Sequence, residues 1–479
     1  MAEPILDRRS LGLKFLLVCL LAVLMSIPAF AVFGLVFERT SRAQSVVQEV
    51  GDRFGGEQTL IGPVLVAPYR AVVSSTDNEG KPTQQIVTGW YVVFPSTGSG
   101  DAKFDTDVRG RGDLFKVRTY QADVDFRAAF DLTQEPSAAP AGAVIDWSRA
   151  ALLVGVTDPR GVVAAPGIQV EGGQLLPLEP GSAYANVFPS LLAAPGATDR
   201  QSGFSGGLGP RTMQWLAADA NAIARPGERF SLTTQIKVTG VESFSLTPFA
   251  RATDLAMSGN WPHVGYFGAF SAEADEEASE GFAARWSVPF VRRNLADAGP
   301  ATELGALGAL AVTTRFVDPA NPYQAVTRSL KYALLFIGVV FLAYFLFEAT
   351  SDQRVHPAQY VLVGLAQVIF YLLLLAIAER LGFHLAFLIA AVATVALIGW
   401  YAGAVFKSRQ RQYAAIAAFS LLYALIYVLM SLEDFALLVG AIAAFVAIAA
   451  VMWFTRNLDW YGLGLPGSPA RREVPRPPG

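Results

Sequence analysis

One cysteine occurs in the 479 residues, Cys19, and it lies inside an apolar run. No intramolecular disulfide can form, so any part of the chain in an oxidising compartment must fold on its core alone. Val18 stands where a lipoprotein cleavage site needs a small residue, and Cys19 reads as a buried apolar filler. Histidine is almost as scarce. His263, His356 and His384 fall in three separate regions, without an HExxH or paired-ligand spacing, so neither a metal nor another cofactor is expected. Charge is sparse too, at 16% of residues, and no Asp, Glu, Lys or Arg falls midway along a long apolar run. Ion-coupled transporters and intramembrane proteases place ionisable groups inside their bundles, so this scarcity argues against both. No basic stripe exists outside short loops, which excludes nucleic acid as a partner, and no internal repeat is evident.

What the chain does have is apolar length. Five runs follow one another at about Leu330–Phe347, Ala358–Ala378, Phe383–Phe406, Gln412–Met430 and Phe435–Phe454. Each is long enough to cross a hydrocarbon core of roughly 30 Å as a helix. A sixth run, Phe15–Phe37, follows the basic start Arg8, Arg9 and Lys14. Ala29-Phe30-Ala31 resembles a signal-peptide cleavage site. The apolar run continues beyond it through Val32, Phe33, Leu35, Val36 and Phe37, so an uncleaved anchor is the preferred reading.

The junctions orient these runs. Arg354, the group Lys407, Arg409 and Arg411, and the C-terminal Arg456, Arg471, Arg472 and Arg476 mark one side; Glu379-Arg380 and Glu433-Asp434 mark the other. Basic loops stay in the cytoplasm. The expected architecture is therefore a six-span helical bundle (1+5) with both termini cytoplasmic. A large, mainly β periplasmic domain is inserted between spans one and two. In residue terms, 1–37 is the N-terminus and anchor, 38–329 the periplasmic domain, 330–456 the five-helix block and 457–479 a disordered tail. Charge asymmetry agrees: from Glu38 to Arg328 there are 24 Lys/Arg against 31 Asp/Glu, and elsewhere 13 against 9.

About 290 residues outside the membrane suffice for one large or two small cores. Ser41–Phe54 reads as a helix, with Val46, Val47, Val50 and Phe54 at helical spacing. Segments 123–130, 230–239 and 282–290 alternate apolar and polar residues, as strands with one buried face do. Asp158-Pro159-Arg160-Gly161 suits a tight turn joining two strands. Met213–Ala224 reads as a short helix ended by Arg225-Pro226-Gly227. The Gly/Ala/Pro-rich stretches 133–143 and 190–210 read as loops, one of which would split the domain in two.

Long strings resemble a known family. Residues 322–360 (PYQAVTRSLKYALLFIGVVFLAYFLFEATSDQRVHPAQY), 361–387 (VLVGLAQVIFYLLLLAIAERLGFHLAF) and 431–462, which opens SLEDFALLVG and closes MWFTRNLDWYG, are similar to the CreD family of inner-membrane, cell envelope integrity proteins. GEQTLIGPVLVAPY at 56–69, YQADVDFRAAFDL at 120–132, and GNWPHVGYFGAF followed by GFAARWSVPF extend the resemblance into the outer domain. Ala378 and Arg380 depart from it, standing where a Ser and a His would be expected. The resemblance implies an envelope stress context, a two-component regulon and altered sensitivity to β-lactams and colicins; it supplies no mechanism.

Candidate chemistry is thin. Gly203-Phe204-Ser205-Gly206-Gly207 matches a nucleophile elbow, but lies in a Gly/Pro-rich loop without the strand and helix that motif needs. No enzymatic activity is expected. The turn Glu348–Tyr360 is the most polar stretch of the membrane block, and Glu348, Arg354, His356, Gln359 and Tyr360 form the candidate relay or docking element there. Pro357 suits a first helical position, so His356 also fits a plain helix start. Gly399 and Gly403, spaced GxxxG, are expected to pack helices closely, and Trp400, Tyr401, Tyr413, Tyr427, Trp453 and Trp460 suit interfacial belts. The partners expected are the lipid bilayer and an envelope protein or ligand held by the outer domain. The alternative is a transporter or lipid-handling protein with a periplasmic gate.

Overall fold

The computed structural model describes residues 11–76, 82–111, 115–133, 139, 142–173, 175–184, 213–278, 281–318, 323, 326, 327, 330, 333–349, 355–431 and 436–456. The chain divides into two compact units, Met1–Arg42 with Ala320–Gly479, and Ala43–Pro319.

The second unit is built from two sheets. One runs β14 (Val264–Gly268), β18 (Val312–Phe316), β12 (Ser243–Thr247), β1 (Gln58–Thr76), β6 (Ala151–Val156), β10 (Gln214–Asp219) and β9 (Glu179–Pro180). β2 (Pro82–Val93), β5 (Val144–Ile145) and β17 (Ala298–Pro300) join this sheet through β1 and β2. The other runs β15 (Ala274–Ala278), β16 (Gly281–Val288), β13 (Ala252–Gly259), β3 (Thr97–Arg111), β4 (Phe115–Asp131), β11 (Arg229–Val241), β7 (Gly167–Val170) and β8 (Leu175–Pro177). Pairing is antiparallel except at β1 with β12 and β3 with β13.

Period-two alternation puts one face of each sheet inward, and the two inward faces share one core. Phe104 of β3 meets Phe244 of β12 with ring centroids 5.0 Å apart and Phe316 of β18 at 5.5 Å. The buried Tyr120 hydroxyl donates to the Ser243 carbonyl at 2.8 Å, which satisfies the one polar atom this aromatic layer brings inside. Arg293 is also buried; it stacks over Phe94 at 4.3 Å, and burial pushes its guanidinium down to about 10.

Three segments differ from expectation. Met213–Ala224 is a strand over Gln214–Asp219, paired between β6 and β9. Leu216, Ala217 and Ala218 are buried in succession there, because both faces of that strand are covered and helical periodicity is not what burial selects. The alternation at 282–290 stops at Val288, and Phe290 opens a helical turn, Phe290–Arg293. The Asp158–Gly161 turn forms, but it joins β6 to β7, strands of different sheets. Residues 133–143 and 190–210 lie largely or wholly outside the described residues.

Helix α1 runs Leu11–Phe54, so the apolar anchor and the Ser41–Phe54 stretch are one continuous helix. Its last turns seat Val46 against Val117 and Val241, with Val47, Val50 and Phe54 packed alongside. Gly55, at φ +93°, then reverses the chain into β1; a Cβ there would lie 2.5 Å from Gly161 Cα. Gln58 Nε2 donates to the Gly55 and Asp158 carbonyls, both at 2.9 Å, and its Oε1 accepts from Thr157 Oγ1 at 3.2 Å. One buried amide thus ties the helix end to the Asp158–Gly161 turn.

The first unit contains α1 up to Arg42, α2 (Ala333–Ala349), α3 (Pro357–Leu381), α4 (Phe383–Phe406), α5 (Arg409–Ser431) and α6 (Ala436–Thr455). Among the described residues four helices, Lys14–Phe54, Pro357–Leu381, Phe383–Phe406 and Arg409–Val428, are long and apolar enough to cross a membrane; Phe336–Glu348 is apolar but shorter. Their outward faces carry exposed Leu362, Ile369, Leu388, Val392 and Trp400, which lipid would cover, and Cys19 is likewise exposed on α1 and not buried as expected, because it lies on the outward side of that helix. Gly382, at φ +76°, separates α3 from α4. Arg409 and Arg411 lie in the first turn of α5 and not in a loop: Ser408 Oγ accepts from the Arg411 amide at 3.4 Å and starts the helix before its charges end.

Candidate functional site

Glu348 sits in the last turn of α2 and is buried. A buried carboxylate needs donors, and this one has three. Oε1 accepts from Lys14 Nζ at 3.0 Å and from the Val355 amide at 3.0 Å, and Oε2 accepts from the Tyr360 hydroxyl at 2.8 Å. Tyr360 is packed edge-on against Tyr344 and Phe341. Lys14, from the far end of the sequence, is the member of this cluster that composition could not associate with it.

His356 and Gln359 act on the backbone. His356 Nδ1 accepts from the Ala358 amide at 3.2 Å, and Gln359 Oε1 accepts from the His356 amide at 3.0 Å. This reciprocal capping box, with Pro357 following, starts α3. The sequence signal was present in His-Pro-x-Gln, with histidine in the place of a hydroxyl residue. Arg354 lies outside the described residues, as do Glu433, Asp434, Trp460 and the Gly203–Gly207 motif. His263 and His384 stand apart from this cluster; His384 Nδ1 lies 2.9 Å from the Tyr427 hydroxyl. Among the described residues no three His, Cys, Asp or Glu come together as metal ligands.

The opposite end of α3 repeats the arrangement. Glu379 accepts from the Tyr323 hydroxyl at 3.2 Å and lies 3.8 Å from Arg39 Nε. Lys14 and Arg39 are thus both paired to carboxylates, 25 residues apart on α1, roughly 38 Å along a helix. Tyr360 and Glu379 are separated by about 28 Å of α3. Between these polar ends the helices meet through apolar surface and a few buried polar groups that a search for charges misses, Gln367 among them. Tyr423 donates to Gln367 Oε1 at 3.3 Å, while Gln367 Nε2 is buried and makes no hydrogen bond.

Small residues set the helix crossings. A Cβ on Gly399 would lie 2.3 Å from Ile416 Cγ1 of α5, and one on Gly403 would lie 3.0 Å from Gln412. Gly364, which no motif flags, faces Met25 of α1 and Phe341 of α2 just as closely. Gly399→Ala is expected to cost about 1–3 kcal/mol by overpacking. Thermal unfolding in detergent measures it, with Gly338→Ala, a site open to a Cβ, as the control. Equal stability of the two variants would show that α4 and α5 are not held at this distance.

In the second unit an open groove of about 570 Å³ lies on the outer face of the β3–β4–β11 region, lined by Arg127, Ser99, Thr233, Asp254 and Glu171 among others.

Two comparisons bear on this architecture. The family model described as "Inner membrane protein CreD" matches residues 10–461. The inner membrane protein CreD of Escherichia coli (strain K12) is 28% identical over 455 residues, 94% of each chain. Apolar helices and a large two-sheet β unit therefore occur here in a chain that, matched along nearly its whole length, belongs to the CreD family of inner-membrane proteins.

Proposed function

We propose that the chain is a non-enzymatic envelope-integrity protein whose β unit takes a ligand on the periplasmic side, while its helices cross the inner membrane six times and keep both termini in the cytoplasm. The observation that carries this reading is the groove on the β unit, whose lining includes Arg127, an arginine with no acid directly opposite it on either neighbouring strand. The buried carboxylates of the helical unit, by contrast, are taken up by partners within that unit. Glu348 with Lys14 and Tyr360 then serves as the inner tie of the bundle, and the Glu348–Tyr360 turn is the first cytoplasmic element that a signal passing down α2 would meet. The family context, envelope stress and antibiotic or colicin sensitivity, fits a sensor or stabiliser of this kind.

A transport or lipid-handling reading draws on Gln367, whose buried amide nitrogen has no partner midway along α3. The anchoring reading is preferred because, among the described residues, no Asp, Glu, Lys or Arg accompanies it there. Placement is tested with single cysteines in a Cys19→Ser background. Asp101→Cys and Ser287→Cys, both exposed positions of the β unit, are expected to react with a membrane-impermeant thiol reagent in cells whose outer membrane is permeabilised. Ser408→Cys is expected to stay unlabelled until the inner membrane is opened. Labelling at position 408 in closed cells, or protection at 101 and 287, would reject the topology and with it a periplasmic ligand.

A further inference from the structure

The outer face of β4 carries a row of charges, Asp123, Asp125, Arg127 and Asp131, all on one face. The neighbouring strand β11 answers two of the three acids and sets Gln235 opposite Asp125. Lys237 lies opposite Asp123 and pairs with it at 3.1 Å, and Arg229 lies opposite Asp131 and pairs with it at 2.9 Å. Opposite Arg127 the register brings Thr233, and on the other side Ser99 of β3. Arg127 is therefore the basic member of the row that both neighbouring strands leave without an acid, and it borders the groove. Its neighbour on the same face, Ala129, is small and leaves the space open.

The groove also holds two carboxylates. Asp254 of β13 lies beside Ser99 in the same cross-strand row, two strands from Arg127 and so about 10 Å away. Glu171 follows β7 on the opposite side, its amide bonded to the Ser231 carbonyl. An unpaired guanidinium calls for a carboxylate or phosphate. The two flanking carboxylates disfavour a dianion and favour a ligand that carries a cation beside its anion. The spacing suits one small molecule spanning both: a carboxylate on Arg127, then two or three bonds, then an ammonium on Asp254, with the Ser99 hydroxyl between them and that of Thr233 on the far side of Arg127.

From this pattern we infer that the groove binds a small zwitterion of the amino-acid class, its carboxylate on Arg127 and its ammonium on Asp254. The inference rests on reading the β unit as ligand-binding, and it names the ligand class. The test uses the full chain in nanodiscs, titrated calorimetrically with glycine, L-alanine, D-alanine and L-glutamate. Acetate, glucuronate and inorganic phosphate are the comparators. Saturable binding of a zwitterion, with each comparator at least about tenfold weaker, is expected. Arg127→Gln is expected to abolish that binding, and Asp254→Asn to weaken it by about tenfold or more. Thr233→Asp supplies the missing acid opposite Arg127 and is expected to quench binding without unfolding the exposed strand face. Lys237→Gln is expected to leave affinity unchanged. No saturable zwitterion binding, or binding indifferent to Arg127→Gln, overturns the assignment. Binding of glucuronate or phosphate that Arg127→Gln abolishes overturns the zwitterion but leaves the ligand-binding reading standing. Silence from every probe, together with full envelope function of Arg127→Gln, overturns both.

Discussion

Ile236→Asp is expected to unfold the β unit. Ile236 sits near the middle of β11, opposite Val124 of β4, and is 2% exposed within the core that both sheets share. The substitution removes about 1.5–3 kcal/mol of side-chain burial. It also places a carboxylate in the apolar core, which costs several kcal/mol more or forces the group to protonate. Together these approach the 5–15 kcal/mol by which an ordinary domain is stable. Limited proteolysis of the membrane-embedded chain reads the effect: new cleavage throughout the β unit, with the helical unit intact. Gln235→Glu, one residue away on the exposed face, is expected to shift stability by no more than about 0.5 kcal/mol. A chain with Asp at 236 that resists protease like wild type would mean that the inward face of sheet two is not where the pairing register puts it.

Glu348→Leu is the second large effect, and it acts on the helical unit. The new side chain is close in volume and apolar, so packing changes little. What changes is that the Val355 amide and the Tyr360 hydroxyl lose their acceptor in a buried place, each at about 1–3 kcal/mol. Lys14 loses its counter-ion but is 30% exposed and can turn outward, so its share is small. A total near 3 kcal/mol is expected from unfolding in detergent. Lys14→Met leaves the carboxylate with two donors and is expected to cost about 1 kcal/mol. The double variant should then be close to Glu348→Leu alone, because the second change removes a partner already lost. Additive costs would show that Lys14 and Glu348 do not interact, and that the N-terminal helix is held by apolar contact only.

Both effects follow from the same division of labour. The β unit has an exposed polar face. In the helical unit the Lys14–Glu348 and Arg39–Glu379 pairs join α1 to α2 and α3. Arg411 of α5 adds to this by donating to the Phe347 carbonyl at 3.0 Å, which satisfies one of the open carbonyls at the end of α2. His356, placed as an N-cap beside this cluster, belongs to the same pattern.

Local and periodic information was legible without coordinates. Runs of apolar residues at span length determined the helices 357–381 and 383–406 almost to the residue, because a helix in lipid satisfies its own backbone and needs only side-chain composition. Strict alternation determined β4 and β11, because period two leaves no other way to bury one face. The polar turn 348–360 stood out by composition, and Pro357 marked the start of α3. Non-local information was not legible. Lys14 and Glu348 are 334 residues apart, and nothing in either segment names the other. Met213–Ala224 carries a helical pattern that the pairing of β6 and β9 overrides, since ladder hydrogen bonds and two-sided burial outweigh intrinsic preference. Arg127 looked like one more charge on a strand. Only register, which aligned Lys237 and Arg229 with their acids and set Thr233 and Ser99 beside Arg127, decided that this charge was left without an answer.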